Sequence, residues 1–455
     1  MTSKKYSLKF WIIFWSVSTI LLIGWYFFCQ LRNQKYETLE TMTNLLPWGE
    51  QGGKEFGALS KFASYLTKKD DQEKTFFILF QNNMELRPGG GYIGSFGILK
   101  IKNGSITKLE THDLSNFDAR IPDGITPPYP IKETLKVSNW KLRDSNFSPD
   151  FLINAKKAEE FYKIGKGGEN FDGIIGINTN VLTSFLKVTG PIEVPGFPGT
   201  YGNDNAIVDL EYQVEKGFYK QDIKIGERKA ILSLLGQEIV KRISSFGLTD
   251  KAKLAGIILE DLKNKDIQLY FKDAEMQKQA VLAGWAGLVD QEWTNDYLMV
   301  VDANMGAFKS DRVIQRSIDY TVDFSKAKPE AILKITYTHT AKEKDWMTKD
   351  YLTFLRVYTP EGSWLISQLN ADKPVYGKEL GKQYFGFLMG LPLGKTKTVE
   401  LKYEISDKIN SNDYQLKIQK QSGLGEIPTK VTVIGKDGKS KEYAFSLVAE
   451  KIVGK

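Results

Sequence analysis

Charge disappears from the chain between residues 10 and 28 (FWIIFWSVSTILLIGWYFF), a run of 19 apolar or uncharged residues. As a helix rising 1.5 Å per residue it would be about 28 Å long, close to the thickness of a bilayer core. Trp11, Trp15, Trp25 and Tyr26 sit toward its ends, where interfacial aromatics belong. Lys4, Lys5 and Lys9 precede it, and Arg32 and Lys35 follow among Glu37 and Glu40, so the Lys/Arg bias puts the N-terminus in the cytoplasm. A cleaved signal peptide would need a shorter core and a small-x-small cleavage site. Phe27 and Phe28 are also too bulky for the stretch before a lipidated Cys29. The expectation is one uncleaved anchor, with the bulk of the protein extracytoplasmic at the cell membrane.

Beyond the anchor the pattern changes twice. Apolar residues at helical spacing (Leu39, Met42, Leu45, then Phe56, Leu59, Phe62, Leu66) predict a stalk of one or two helices, broken around residues 47–53. From residue 74 short apolar runs take over. Residues 75–81 (TFFILFQ) and 95–101 (SFGILKI) read as buried strands. Asn103-Gly104 is a hairpin signal, with residues 105–111 as the partner strand. A helix over 155–162, a strand over 171–177 and a helix over 180–188, with Asn178 or Thr179 as its cap, complete a strand–helix alternation that predicts an α/β layer. Residues 205–290 read as mostly helical, and from about 296 nine strands separated by turns predict an antiparallel sandwich.

Composition narrows the chemistry. One cysteine excludes a disulfide framework and a multi-cysteine zinc site. Two histidines, His112 and His339, leave little room for a His-dependent triad, and no G-x-S-x-G elbow accompanies them. The net charge of +7 is spread among Glu and Asp without an arginine stripe, which argues against nucleic acid as a partner.

Four segments could carry chemistry. In residues 81–97 (QNNMELRPGGGYIGSFG), Gly89, Gly90 and Gly91 would let backbone N–H groups approach an anion, and Arg87 could clamp a phosphate. A Gly-rich turn beside an arginine is more often a tight connection with a surface charge. In residues 111–120 (THDLSNFDAR), Asp113, Asp118 and Arg120 fall at a strand end, where Mg²⁺ and phosphate oxygens could be held, or where the acids simply cap turns. In residues 143–150 (RDSNFSPD), Asp144, Asn146 and Asp150 could line a site or cap a helix. Residues 302–312 (DANMGAFKSDR) read best as a loop holding two domains together, the other reading being a polar site.

These segments, in this order, resemble the bacterial domain of unknown function 4012, with further likeness in RDSNFSPDFLINAKKAEEFY and FDGIIGINTNVLTSFLKVTGPIEV. More distantly, the order of strands, Arg/Gly loop, acidic loop and helix is similar to the LytR-CpsA-Psr family. That resemblance implies a membrane-anchored protein transferring glycopolymer from a polyprenyl-pyrophosphate carrier to the cell wall, with Mg²⁺. The Arg-Ser-Asp-Thr and Pro-Arg-Asp motifs of that family are absent, so no catalytic residue is carried over.

The combined expectation is a cytoplasmic tail (1–9), an anchor (10–29), a helical stalk (30–71), an α-β-α layered, LytR-CpsA-Psr-like domain (72–290) and a β-sandwich-like all-β domain (291–455). Phosphate contacts would come from Arg87, Gly89, Gly90, Gly91, Arg120 and Asn146, and metal contacts from Asp113, Asp118, Asp144 and Asp150. The function is either Mg²⁺-dependent glycopolymer transfer or non-catalytic binding at the cell surface.

Overall fold

The computed structural model describes residues 49–454; the tail, the anchor and residues 30–48 lie outside the described residues. Among the described residues no helix is long and apolar enough to cross a membrane.

The first unit is built on β1 (Glu73–Asn82), β2 (Tyr92–Lys102), β3 (Ser105–Asp113), β4 (Gly173–Asn178) and β7 (Ile267–Phe271), in the spatial order β3-β2-β1-β4-β7. β1 and β4 are parallel, and the other pairs are antiparallel. The β2–β3 turn works because Asn103 and Gly104 both take positive φ (52° and 80°), as a tight hairpin of right-handed twist requires. A short hairpin, β5 (Ile192–Glu193) with β6 (Thr200–Tyr201), lies to one side.

Alternation along β1 sends neighbouring side chains to opposite faces. Phe77 and Leu79 pack with Phe151, Ala155, Ala158 and Phe161 of helix Phe151–Ile164. Phe76 faces the other way, into a cluster with Ala58, Phe62, Val181, Leu262, Met276 and Trp285. Helices therefore cover both faces of the sheet.

One expectation needs correction here. Helix Gly49–Thr67 does not stand free as a stalk. It lies against the sheet, with the Phe62 ring stacked on Phe271 at 4.9 Å, because its apolar stripe is part of the domain core. The region 205–290 is mostly helical, as expected, with one strand added. β7 (IQLYF) interrupts it between helices Leu248–Lys263 and Ala274–Leu282.

The second unit holds β8 (Asp296–Asn304), β9 (Ile314–Asp323), β10 (Glu330–His339), β11 (Tyr351–Pro360), β12 (Trp364–Leu369), β13 (Val375–Glu379), β14 (Lys382–Leu391), β15 (Thr396–Glu404), β16 (Gln415–Gln419), β17 (Ile427–Ile434), β18 (Ser440–Leu447) and β19 (Glu450–Gly454). They form two six-stranded sheets, β12-β15-β10-β9-β17-β18 and β13-β14-β11-β8-β16-β19, over a shared apolar core.

β8 joins the units. All nine of its residues are buried. Leu298 and Val300 face the sandwich core. On the outer face Tyr297, Met299 and Val301 meet Val289, and Ala303 meets Ile131 and Phe147 of the first unit. Leu86, from the β1–β2 connection, is fully buried in the sandwich core itself. Burying such a side chain is worth about 1.5–3 kcal/mol.

Candidate functional site

The parallel pair β1 and β4 ends at Gln81–Asn82 and Asn178, the end of an α/β sheet where ligands commonly bind. The chain turns there on itself: the Asn82 side chain accepts from the Met84 N–H (3.0 Å) and its carbonyl from the Glu85 N–H (3.1 Å). Arg87 follows, and it is 1% exposed.

Arg87 faces inward, toward protein groups. Its Nε donates to Asp144 Oδ1 (3.0 Å), one terminal nitrogen to the carbonyls of Asn304 (3.0 Å) and Leu86 (3.3 Å), and the other to Glu85 Oε1 (3.0 Å). A guanidinium has only five N–H donors, so four are engaged inside the protein. Burial alone would lower its pKa, but Glu85 and Asp144 raise it, so the charge is fixed. The adjoining residues belong to the second unit. Leu86 N–H donates to Asp311 Oδ2 (3.0 Å), which also accepts from Asn304 Nδ2 (2.7 Å), while Arg316 bridges Asp302 and Asp311 at 2.7 Å each. Residues 302–312 thus hold the two domains together.

Residues 420–424 close the same sheet end. Gln421 Nε2 donates to the carbonyls of Arg87 (3.0 Å) and Asp302 (2.7 Å), and its Oε1 accepts from the Asp302 N–H (2.8 Å). Ser422 Oγ donates to the Lys265 carbonyl (2.6 Å), and Asn83 Nδ2 to the Gly423 carbonyl (2.8 Å). Gly423 has φ +84°, and a Cβ there would lie 1.9 Å from the Gly90 carbonyl oxygen. Lys420 is buried beside them, and burial pushes its pKa down to about 8.

The glycine run serves this close approach. A Cβ at Gly91 would meet the Asn82 backbone at 2.5 Å, and one at Gly89 the Asn146 carbonyl oxygen at 3.0 Å. The N–H groups of Gly89 and Gly90 are already bonded to Asn146 O (3.0 Å) and Arg87 O (2.9 Å). Asn146 Nδ2 donates to Gly91 O (2.6 Å), and its buried Oδ1 has no partner. The structure therefore brings Arg87, Gly89, Gly90, Gly91, Asp144 and Asn146 together, but as a tight connection and not as an open phosphate cradle.

The other expected residues lie apart from that joint. Asp150 caps helix Phe151–Ile164, accepting from Leu152 N–H (3.0 Å), and its second oxygen accepts from Val289 N–H (2.9 Å). Asp113 caps helix Leu114–Asp118 through Ser115 N–H (2.8 Å) and pairs with Lys229 (2.7 Å). Arg120 is exposed and lies over the Phe117 ring at 5.3 Å. The four carboxylates expected to hold a metal do not converge, because each is engaged by its own cation or backbone N–H. Among the described residues no group of three His, Cys, Asp or Glu is placed to bind one.

One open feature was missed in the sequence. Arg143 donates through Nε to Asp118 Oδ2 (2.5 Å), and its terminal nitrogens hydrogen-bond to no described residue. With Ser115, Asp118, Ile121 and Lys141 it lines a surface concavity of about 530 Å³. Burial raises the Asp118 pKa despite that pairing. Tyr92 lies near enough to feel the Arg143 charge, and burial pushes its hydroxyl up to about 12. Arg143 opens the RDSNFSPD run, but it is the acids and amide of that run that draw the eye. Its pairing with Asp118, 25 residues earlier, leaves no local trace.

Fold and site define a two-part protein: a mixed α/β domain locked onto a β-rich C-terminal region. The family model described as "Protein of unknown function (DUF4012)" matches residues 71–214, so the resemblance read in the sequence holds over that stretch. Among solved structures, the chain is similar to the Lin1025 protein from Listeria innocua (12% identity, TM-score 0.27, covering 48% of this chain and 79% of that one). It is also similar to B. subtilis TagV (10% identity, TM-score 0.27, 48% and 81%). Both are LytR-CpsA-Psr family members. At such identity and TM-score the likeness assigns no activity. No curated protein matches the chain.

Proposed function

We propose that this is a cell-envelope module, anchored by residues 10–29 with its bulk extracytoplasmic, that binds an envelope partner without catalysing transfer. The observation that carries this reading is the closed sheet end. Arg87 and Asp144 neutralise each other there, and residues 421–423 lie against the glycine run. A transferase would need those groups free to stabilise a leaving pyrophosphate. Among the described residues, a surface open to a ligand is the Arg143 concavity, whose terminal guanidinium nitrogens, bonded to no described residue, suit an anionic group on a cell-wall glycopolymer.

A second reading, Mg²⁺-dependent transfer from a polyprenyl-pyrophosphate carrier, is favoured by one observation. Arg143 and Tyr92 sit at the same sheet end and are each partly exposed, with the buried Asp118 held by Arg143 at the concavity. The two readings separate on the full chain in detergent micelles, titrated with inorganic pyrophosphate and with a short polyprenyl pyrophosphate, with Mg²⁺ or with a chelator. The binding-module reading expects binding that survives chelation, is lost in Arg143→Ala and consumes no carrier. Carrier consumption that requires Mg²⁺ would replace it with the transferase reading.

A further inference from the structure

The concavity around Arg143 has a charge balance that can select among anions. Two of its lining residues are acids, Asp118 and Asp123, and two are bases, Lys141 and Arg143, so the formal charge of its wall sums to zero. Arg120 is close in sequence but does not line it, and its guanidinium lies over the Phe117 ring.

The two bases have different duties. A lysine ammonium has three donors. Those of Lys141 go to the carbonyls of Ile121 (2.5 Å) and Pro122 (3.4 Å) and to Asp123 Oδ1 (2.8 Å). Lys141 is therefore a strap that holds the 121–123 wall, and Asp123 offsets its charge. Arg143 gives up only Nε, to Asp118 Oδ2, while Asp118 Oδ1 accepts from the Leu142 N–H (3.1 Å). Its two terminal nitrogens bond to no described residue. They are the end of a planar fork, which fits the two oxygens of one carboxylate or one phosphodiester. Ala119 and Pro122 stand exposed along the same wall, an apolar surface for the carbon face of a sugar ring.

We propose that this concavity takes a singly charged oxyanion of a glycopolymer, a carboxylate or a phosphodiester, in preference to a pyrophosphate; the proposal rests on the binding reading above. One negative charge is met by the open end of Arg143. Further charges on the same group find no unengaged cation in the wall, because Lys141 is spent on its own loop. They meet the carboxylates of Asp118 and Asp123 instead, and like charges set against each other cost affinity. A site shaped for pyrophosphate would carry an excess of positive charge.

The test uses the full chain in detergent micelles with a chelator present. It is titrated calorimetrically with a short oligogalacturonate, with the methyl ester of that oligomer, with a glycerol phosphate oligomer and with inorganic pyrophosphate. The expected result is that one of the two charged oligomers binds, per anionic group, about fivefold more tightly than pyrophosphate, the order of one like-charge contact in water. The uncharged methyl ester should not bind. Which oligomer binds tells carboxylate from phosphodiester. Asp123→Asn keeps an acceptor for Lys141 and removes one negative charge, so it should raise the affinity for pyrophosphate more than that for the oligomer. Pyrophosphate bound as tightly as either oligomer, and lost in Arg143→Ala, would overturn the preference and leave the binding reading standing. An unchanged ratio in Asp123→Asn would also overturn it. If none of the four binds in an Arg143-dependent way, the binding reading falls and this proposal with it.

Discussion

Two arginines lie at one end of the same sheet, each paired to an aspartate through Nε, and their fates differ. Arg87 engages four of its five N–H groups with Asp144, Glu85, Leu86 and Asn304 and is buried. Arg143 engages one, with Asp118, and keeps the rest beside an open concavity. The difference is not in the local sequence, where Arg87 sits beside three glycines and looks the better anion clamp. It arises because Asn304 and Gln421 arrive from the second domain and close the space around Arg87, while no described residue of the second domain bonds to Arg143. An arginine is a ligand group only where the fold leaves its donors free.

The largest effect follows from breaking the buried member of the pair. Arg87→Ala leaves Glu85 and Asp144 buried without their cation, a loss of about 3–5 kcal/mol. Urea unfolding of the full chain should show it with no ligand present. Next comes Gly423→Ala, which sets a methyl against the Gly90 carbonyl at a positive φ and should cost on the order of 1–3 kcal/mol. Limited proteolysis should then cut between the domains faster than in the wild type.

Asp296 sharpens the contrast from another side, as a buried carboxyl with no cation. It accepts from the hydroxyls of Tyr320 and Tyr414 (2.7 Å each) and from Tyr297 N–H (2.9 Å). Burial raises its pKa from 3.8 to about 6. The folded state therefore holds this proton more tightly than the unfolded chain does. Its contribution to stability improves as pH falls from about 6 toward 3.8 and is at its worst above that window. Measured against Asp296→Asn, wild-type stability should gain about 2–3 kcal/mol across the window. A flat difference would sink the assignment. A loss of about 1–3 kcal/mol is expected at Arg143→Ala, which leaves Asp118, itself 2% exposed, without its cation while its bond from the Leu142 N–H remains. Calorimetry checks that value while anion titration shows the lost binding.

Much of the fold was legible. The run 75–81, the Asn103-Gly104 turn and the Asn178 cap each follow from local chemistry and stand where expected. Strands without a strong local signal were not legible. β12, β13 and β19 lie on sheet edges, where no face need be wholly apolar, so their patterns are weak. β7, though apolar, is a short run between two helices and was not read as a strand. The site was harder to read than the fold. Arg87 finds Asp144 57 residues away and Asn304 217 residues away, and no spacing in the sequence announces either. The bland readings, a tight connection at the glycines and caps at Asp113 and Asp150, describe what these residues do, except that Arg87 is buried and is not the surface charge that reading expects.

The most direct measurement is calorimetric unfolding of the full chain, wild type against Arg87→Ala, with and without Mg²⁺ and pyrophosphate. If Arg87 clamps the domains, the wild type melts with the two units coupled. The variant then shows a separate, lower transition for one of them, and the ligands move neither profile in an Arg87-dependent way. A variant that melts like the wild type without ligand, but loses a Mg²⁺- and pyrophosphate-dependent rise, would contradict the account and return Arg87 to the ligand.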